Sequence, residues 1–246
     1  DYEKTIQEGL DVLQYDPNGD LHAMLGDSFF KLNRGGKTEK HQRGILTARA
    51  LMEKVVKINP NNKAANNTLG NIYSNGLGVP VDNDKAFKYF KVNADQGSLV
   101  DAFNAAQVAQ TQGKLDVALD LYEKTLDGAF KEGVSSGDQL VEAIYRNMAF
   151  IFYDDSKKFH DRRIKYLPAY AENPYRTGRF LLEVALDYKN GNGVPKSKEK
   201  FFQILKHVAD ADATVKTDFF YRLAARDALT RAYLSKEFFN EMEAFN

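Results

Sequence analysis

The stretch Leu69-Gly70-Asn71-Ile72-Tyr73-Ser74-Asn75-Gly76-Leu77-Gly78-Val79-Pro80, continued to Asp95, returns in altered form from Val184 to Asp210. Eleven of the 27 aligned positions are identical, among them Tyr73/Tyr188, Asn75/Asn190, Gly76/Gly191, Gly78/Gly193, Val79/Val194 and Pro80/Pro195. The copies lie 115 residues apart, about three times the ~34 to 40 residues of a helical-hairpin repeat. A chain that repeats a helix–turn–helix unit is expected to be an all-α, right-handed α-solenoid. Such folds present surfaces to partners far more often than they carry out chemistry.

The rest of the chain reads outward from that unit. Ile6, Leu10 and Leu13 predict an amphipathic helix over 1–15. Asp16-Pro17-Asn18-Gly19-Asp20 is a turn, with Asp20 expected to cap a helix carrying Leu21, Met24, Leu25, Phe29 and Leu32. A helix from about 42 to 58 presents Ile45, Leu46, Ala50, Leu51, Val55 and Ile58, then closes on Asn59-Pro60. The quoted unit follows. Gly70 is small for a close approach of the facing helix, and Tyr73 fills the hairpin core. Gly76 and Gly78 end the first helix, and Asp82 or Asp84 caps the second, which carries Ala86, Phe87, Tyr89, Phe90 and Ala94. The extra residues of this wide glycine turn are expected on one rim of a solenoid.

A plain hairpin comes next, with Ala106, Ala109, Ala118 and Tyr122 about the tight turn Gln112-Gly113. After Gly133 a helix carries Leu140, Ile144, Met148 and Phe152. A second segment, about 162–170, is interrupted by Pro168. Asn173-Pro174 opens the second copy, with Phe180, Leu181, Val184, Ala185 and Tyr188 before its turn and Phe201, Phe202, Leu205 and Ala209 after it. A last pair over 219–234 and 236–245 completes about six hairpins in a single domain spanning 1–246, the terminal helix acting as a cap.

Composition narrows the function. The 246 residues are 43% hydrophobic and 28% charged, which is ordinary for a globular protein. No apolar run reaches the ~18 to 20 residues of a membrane span. Thirty-four basic residues balance 34 acidic ones, which argues against general nucleic-acid binding. The balance is local in places: residues 1–20 are acidic, while 31–49 hold Lys31, Arg34, Lys37, Lys40, Arg43 and Arg49 against Glu39. These read as solvated faces, with an electrostatic docking patch as the sharper reading. There is no cysteine, so disulfides, thiol nucleophiles and thiolate metal sites are excluded. The first residue is Asp1 rather than Met, which suggests a processed or shortened product.

The pattern Leu-Gly-x-x-Tyr, then Gly-x-Gly-Val, then an acid, Lys-Ala, an aromatic and Ala resembles the Sel-one-like repeat family, a relative of the tetratricopeptide family. Leu69, Gly70, Tyr73, Gly76, Gly78, Val79, Asp84, Lys85, Ala86, Phe90, Ala94 and Gly97 carry the likeness. Residues 180–210 match in the turn but place Ala185 at the position of Gly70 and Phe201 at that of Ala86. The resemblance covers about two thirds of the sequence. It implies an adaptor that takes a protein or peptide in a concave groove. It also implies a bacterial envelope or host-interaction setting, periplasmic or secreted, with the cytoplasm as the alternative. An immunity-type protein that neutralises a secreted toxin is a narrower form of this reading, and a cell-wall or lactam hydrolase is a distant one.

Chemistry is hard to find. His22, His41, His160 and His207 include no i, i+4 pair, and no thiolate can complete a zinc site. The Gly-x-Gly turns follow helices and lack a phosphate-binding sequel. No Gly-x-Ser-x-Gly element is present. Asp154-Asp155 and Glu241/Glu243 read as solvated acids. Lys157-Lys158-Phe159-His160-Asp161-Arg162-Arg163-Ile164-Lys165 is the sharpest basic stretch, either a wet helix side or a grip for an acidic partner. The aromatic runs Phe219-Phe220-Tyr221 and Phe238-Phe239 imply a helix buried on two sides or a ring turned to a partner. The expectation is therefore a non-enzymatic scaffold without cofactor or metal. Its first helices would line the groove, and the candidate contacts are Asn66, Asn67, Asn71, Asn104, Gln107, Arg146 and Asn147. The partner would be a protein or peptide rather than nucleic acid, and the oligomeric state is left open.

Overall fold

A computed structural model describes residues 16–135, 138–154, 158–159, 162, 165–166, 178–192, 194–210 and 218–234. Among the described residues all regular structure is helical. The helices are α1 (Asp20–Asn33), α2 (Glu39–Ile58), α3 (Lys63–Asn75), α4 (Asn83–Asp95), α5 (Leu99–Thr111), α6 (Leu115–Lys131), α7 (Gln139–Asp154), α8 (Gly178–Asn190), α9 (Lys198–Asp210) and α10 (Asp218–Leu234). The protein divides into two compact units, Asp1–Gly133 and Val134–Asn246. The helices expected over 1–15 and 236–245, and most of the basic stretch 157–165, lie outside the described residues.

In the first unit each helix packs on its neighbours in sequence, and α1 also touches α3. Short connections force consecutive helices to run antiparallel, so α1–α6 stack as three hairpins, the arrangement of an α-solenoid. The core is Leu25, Phe30, Ile45, Met52, Val55, Leu69, Ile72, Phe90, Leu119, Tyr122 and Leu126, all nearly inaccessible. Full burial of such side chains contributes roughly 1.5–3 kcal/mol each. The glycine turn after α3 is part of this packing. Leu77 and Val79 lie against the Phe30, Ile45, Ala48 and Ile72 cluster, so the extra turn residues tie the second hairpin to the first.

Local signals explain most helix ends. Asn62 caps α3 by accepting the Ala65 N–H at 3.0 Å, Asp82 caps α4 by accepting that of Lys85 at 3.0 Å, and Ser98 caps α5 by accepting that of Asp101. Gly76 ends α3 in the left-handed region, φ 63°, where its own N–H reaches the Ile72 carbonyl. Gly70 leaves the room that Phe90 fills, since a Cβ there would sit 2.6 Å from the ring.

Three expectations shift. Asp20 is the first helical residue rather than the cap, because Gly19, left-handed at φ 78°, makes the turn. Asp16 stabilises this helix start instead, accepting the His22 N–H at 2.8 Å. In α1 the buried stripe is His22, Leu25, Gly26, Phe30 and Asn33, while Met24 and Leu32 face outward. In α2 the stripe runs through Ala48 and Met52, and Leu46 and Ile58 are exposed. Apolar residues on both flanks made the two stripes indistinguishable by spacing alone. Packing chose the one in which Gly26 meets Met52, whose side chain lies 3.1 Å from where a Cβ would stand.

In the second unit α7 buries Val141, Ile144, Tyr145, Met148, Ile151 and Phe152. Helices α8, α9 and α10 pack together around Val184, Ala185, Tyr188, Val194, Phe201, Ile204, Leu205, Val208 and Ala225. Arg226 donates from Nε and Nη2 to the Ala209 carbonyl at 3.3 and 3.1 Å, closing the C-terminal end of α9. The side chains of Phe180, Leu181 and the 219–221 run lie outside the described residues.

Candidate partner-binding face

The first helices of the second and third hairpins differ in chemistry from their partners. Helix α3 holds one charged residue, Lys63, and α5 one, Asp101, which is 5% exposed. Helices α4 and α6 carry five and six charges: Asp84, Lys85, Lys88, Lys91 and Asp95, then Asp116, Asp120, Glu123, Lys124, Asp127 and Lys131. The polar side chains of α3 and α5 are otherwise amides and hydroxyls, with the Tyr73 phenol among them.

Those amides are ordered along α3. Asn71 Nδ2 donates to the Asn67 carbonyl at 2.8 Å and to Asn67 Oδ1 at 3.1 Å. Asn75 Nδ2 donates to the Asn71 carbonyl at 3.0 Å and to Ser74 Oγ at 3.0 Å. Asparagine at i, i+4 spacing thus uses its donors on its own helix. Among the described residues no donor reaches the Oδ1 of Asn71 or Asn75, so these half-buried and exposed side chains offer acceptors.

A buried knot fixes α3 against α5. Asp101 accepts Asn67 Nδ2 at 2.7 Å on Oδ1, and Asn93 Nδ2 at 3.0 Å and Ser98 Oγ at 2.7 Å on Oδ2. Asn93, fully buried, also donates to the Lys63 carbonyl at 2.8 Å. One carboxylate therefore ties three helices, and losing it would take an acceptor from buried Asn93 and from half-buried Asn67 and Ser98.

The candidates separate on this geometry. Asn66 is 1% exposed, and its Nδ2 bridges the Pro60 and Asn62 carbonyls at 2.8 and 2.9 Å, so it serves the Asn-Pro seam. Asn67 belongs to the knot. Asn71 and Asn104 are half-buried and Gln107 is exposed, so these three are the accessible candidates of the first unit. Arg146 pairs with Glu142 at 3.2 Å, and Asn147 is half-buried beside it on α7 in the second unit. The spacing of Asn67, Asn71 and Asn75 was visible in sequence. The roles of Asn93 and Asp101, which join three helices, were not.

A second cluster flanks the glycine turn. Tyr73 donates to Glu53 Oε1 at 2.9 Å, and its ring stacks on Tyr89 at 6.0 Å. Lys85 Nζ lies 4.8 Å from the Tyr73 ring centre. Burial, then the hydrogen bond to Glu53, push the Tyr73 hydroxyl above its ordinary range. Burial likewise raises Tyr89.

The histidines split. His22 is buried, its Nδ1 2.6 Å from Asp16 Oδ2. Burial works to raise the Asp16 carboxyl, but the backbone and ring hydrogen bonds from His22 outweigh it and hold it low. His41 Nδ1 sits 2.6 Å from Thr38 Oγ1 at the start of α2. His160 and the His207 side chain lie outside the described residues. Among the described residues no three His, Asp or Glu side chains gather as a metal site. The basic 31–49 stretch is largely paired in place: Lys31–Asp27 at 2.7 Å, Arg43–Glu39 at 3.8 Å and Arg49–Glu53 at 3.6 Å. Of the 157–165 stretch, Lys158 stacks over the buried Phe159 ring at 4.8 Å, and Lys165 donates to the Tyr166 hydroxyl at 2.8 Å. Among the described residues no helix is long and apolar enough to cross a membrane.

No known family profile matches the sequence, and no curated protein matches it. Solved structures do. The protein is similar to a Sel1 repeat protein from Oxalobacter formigenes at 19% identity and a TM-score of 0.44, over 71% of each sequence. It is also similar to a protective antigen of uropathogenic Escherichia coli strains that displays an SLR fold, at 15% identity and a TM-score of 0.49. That match covers 94% of this protein and 53% of the antigen, so the sequence spans about half the antigen's length. The all-α hairpin architecture rests on the helices themselves.

Proposed function

We propose that the protein is a non-catalytic interaction scaffold whose first unit takes an extended polypeptide along the amide faces of α3 and α5. One observation carries this reading. The charges of the second and third hairpins are segregated onto α4 and α6, while α3 and α5 present Asn71, Asn75, Asn104 and Gln107 with unused acceptors among them. Amide acceptors suit the N–H groups of a main chain, and a rigid backbone underneath keeps the ordering cost of binding low. The Asp101 knot supplies that rigidity. Arg146 and Asn147 on α7 are proposed as a separate contact of the second unit.

The setting we favour is a bacterial envelope or host-facing adaptor, periplasmic or secreted. The resemblance of residues 64–97 to the Sel-one-like pattern supports it.

The test is the triple variant Asn71→Ala, Asn104→Ala, Gln107→Ala against Lys88→Ala on α4. The amide variant is expected to weaken binding of a protein partner by at least about tenfold, with little change for Lys88→Ala and little salt dependence. Unchanged affinity in the triple variant, or a partner footprint confined to α4 and α6, would remove the groove.

A further inference from the structure

The sequence contains four Asn-Gly pairs, and three of them, Asn18-Gly19, Asn75-Gly76 and Asn190-Gly191, lie wholly among the described residues and differ in backbone setting. Asparagine before glycine is the sequence most prone to spontaneous deamidation. The glycine nitrogen attacks the carboxamide carbon of the asparagine, forming a new carbon–nitrogen bond as the bond from that carbon to the amide nitrogen breaks. Ammonia leaves with the displaced proton. Water then opens the succinimide at either carbonyl, giving aspartate or isoaspartate. The attack needs a glycine nitrogen free of other bonds and an asparagine free to turn toward it.

Two of the pairs are held back. Asn75 and Asn190 are the last residues of α3 and α8. The Gly76 N–H is committed to the Ile72 carbonyl, and the Gly191 N–H donates to the Asp187 carbonyl at 2.7 Å. Asn75 is further pinned through Nδ2 to Asn71 and Ser74. Reaction at either position requires the helix end to open first.

The third pair is set up differently. Asn18 is exposed in the turn before α1. Among the described residues the Asn18 carboxamide has no hydrogen-bond partner, and the Gly19 N–H, buried at the end of the turn over 17–18, makes no hydrogen bond of good geometry. We infer that, of these three pairs, Asn18-Gly19 is the one that deamidates in the folded protein. The product would place a new carboxylate between Asp16 and Asp20, and the isoaspartate form would add a methylene to the main chain. Both changes fall beside the Asp16–His22 contact and beside Gly19, where an added Cβ would stand 3.3 Å from Ile58 at the end of α2. The first hairpin is the element that would loosen.

The experiment is peptide mapping by mass spectrometry after incubating the native protein at mildly alkaline pH, with isoaspartate detected by enzymatic methyl transfer. An aliquot unfolded in guanidinium is treated in parallel. The expected result is conversion at position 18 in the folded protein, at least about tenfold faster than at positions 75 and 190. The unfolded aliquot should convert all three at comparable rates. Asn18→Gln should leave no early converting site among these three positions. Asn18 persisting as the amide in folded protein while the unfolded aliquot converts would overturn the inference. So would conversion at 75 or 190 as fast as at 18.

Discussion

Helices α3–α4 and α8–α9 are two versions of one hairpin, and they agree where the backbone is constrained and disagree where side chains fill space. After the first helix the Asp82 N–H donates to the Tyr73 carbonyl at 3.0 Å, and the Ser197 N–H donates to the Tyr188 carbonyl at 2.9 Å. The Leu77 N–H reaches the Ile72 carbonyl at 3.0 Å, as the Asn192 N–H reaches that of Asp187 at 3.1 Å. Lys85 lies 4.8 Å from the Tyr73 ring centre and Lys200 5.1 Å from that of Tyr188. The interior differs. Gly70, Ala86 and Phe90 in the first copy become Ala185, Phe201 and Leu205 in the second, so the first two positions grow while the third shrinks. Buried polar Asn93 becomes buried apolar Val208. A turn admits few residues, because its backbone torsions admit few. A helix interface admits any set that fills the same volume.

The largest way to break this comparison is to remove what only the first copy has. Asp101→Leu should cost about 3 kcal/mol in chemical denaturation, since Asn67, Asn93 and Ser98 lose their shared acceptor. Val208→Ala, at the position in the second copy that matches Asn93, should cost only about 1–2 kcal/mol as a small cavity. Equal costs would mean that the knot is a surface ornament. Gly70→Ala comes next, at about 2 kcal/mol, because its methyl would meet a Phe90 ring that is 2% exposed and has nowhere to go.

These effects show which features were announced in the sequence and which were withheld. The glycine turn, Tyr73, the closeness implied by Gly70 and a cap at Asp82 or Asp84 were readable because each follows from a local backbone or steric demand. The faces of α1 and α2 were misjudged at Met24, Leu32, Leu46 and Ile58. Those helices carry apolar residues on both sides, and the choice depends on which side brings Met52 and Gly26 together. Asn66, Asn67 and Asn71 were legible as polar candidates on α3, but not the division of labour that buries Asn66 in the seam and spends Asn67 on Asp101. Neither partner of that bond is near the other in sequence.

The shared turn sharpens the comparison from the other side. Gly76→Ala and Gly191→Ala both force an L-residue into the left-handed region, at φ 63° and 76°. Each should cost about 1–2 kcal/mol, and the two costs should agree to within about 0.5 kcal/mol. A loss at one and none at the other, measured by thermal unfolding, would show that the turns are not equivalent.

The smallest expected effect concerns pH. The Tyr73 hydroxyl is held above its ordinary range in the folded protein, by burial and by its bond to Glu53. Its stabilising contribution is therefore complete below the unfolded tyrosine value and lost as pH rises through the folded one. Tyr73→Phe should lower stability at neutral pH by about 1 kcal/mol and flatten the alkaline limb of the stability–pH curve. An alkaline limb identical to the parent's would remove Tyr73 from that role.

The claim beneath all of this is that the two hairpins are one fold with two interchangeable packing sets. It is tested most directly by carrying the second set into the first copy: Gly70→Ala, Ala86→Phe and Phe90→Leu together, compared by denaturation with each single change. The account predicts that Gly70→Ala and Ala86→Phe each destabilise on their own, and that the triple variant recovers most of that loss. A triple variant no more stable than its worst single component would contradict it.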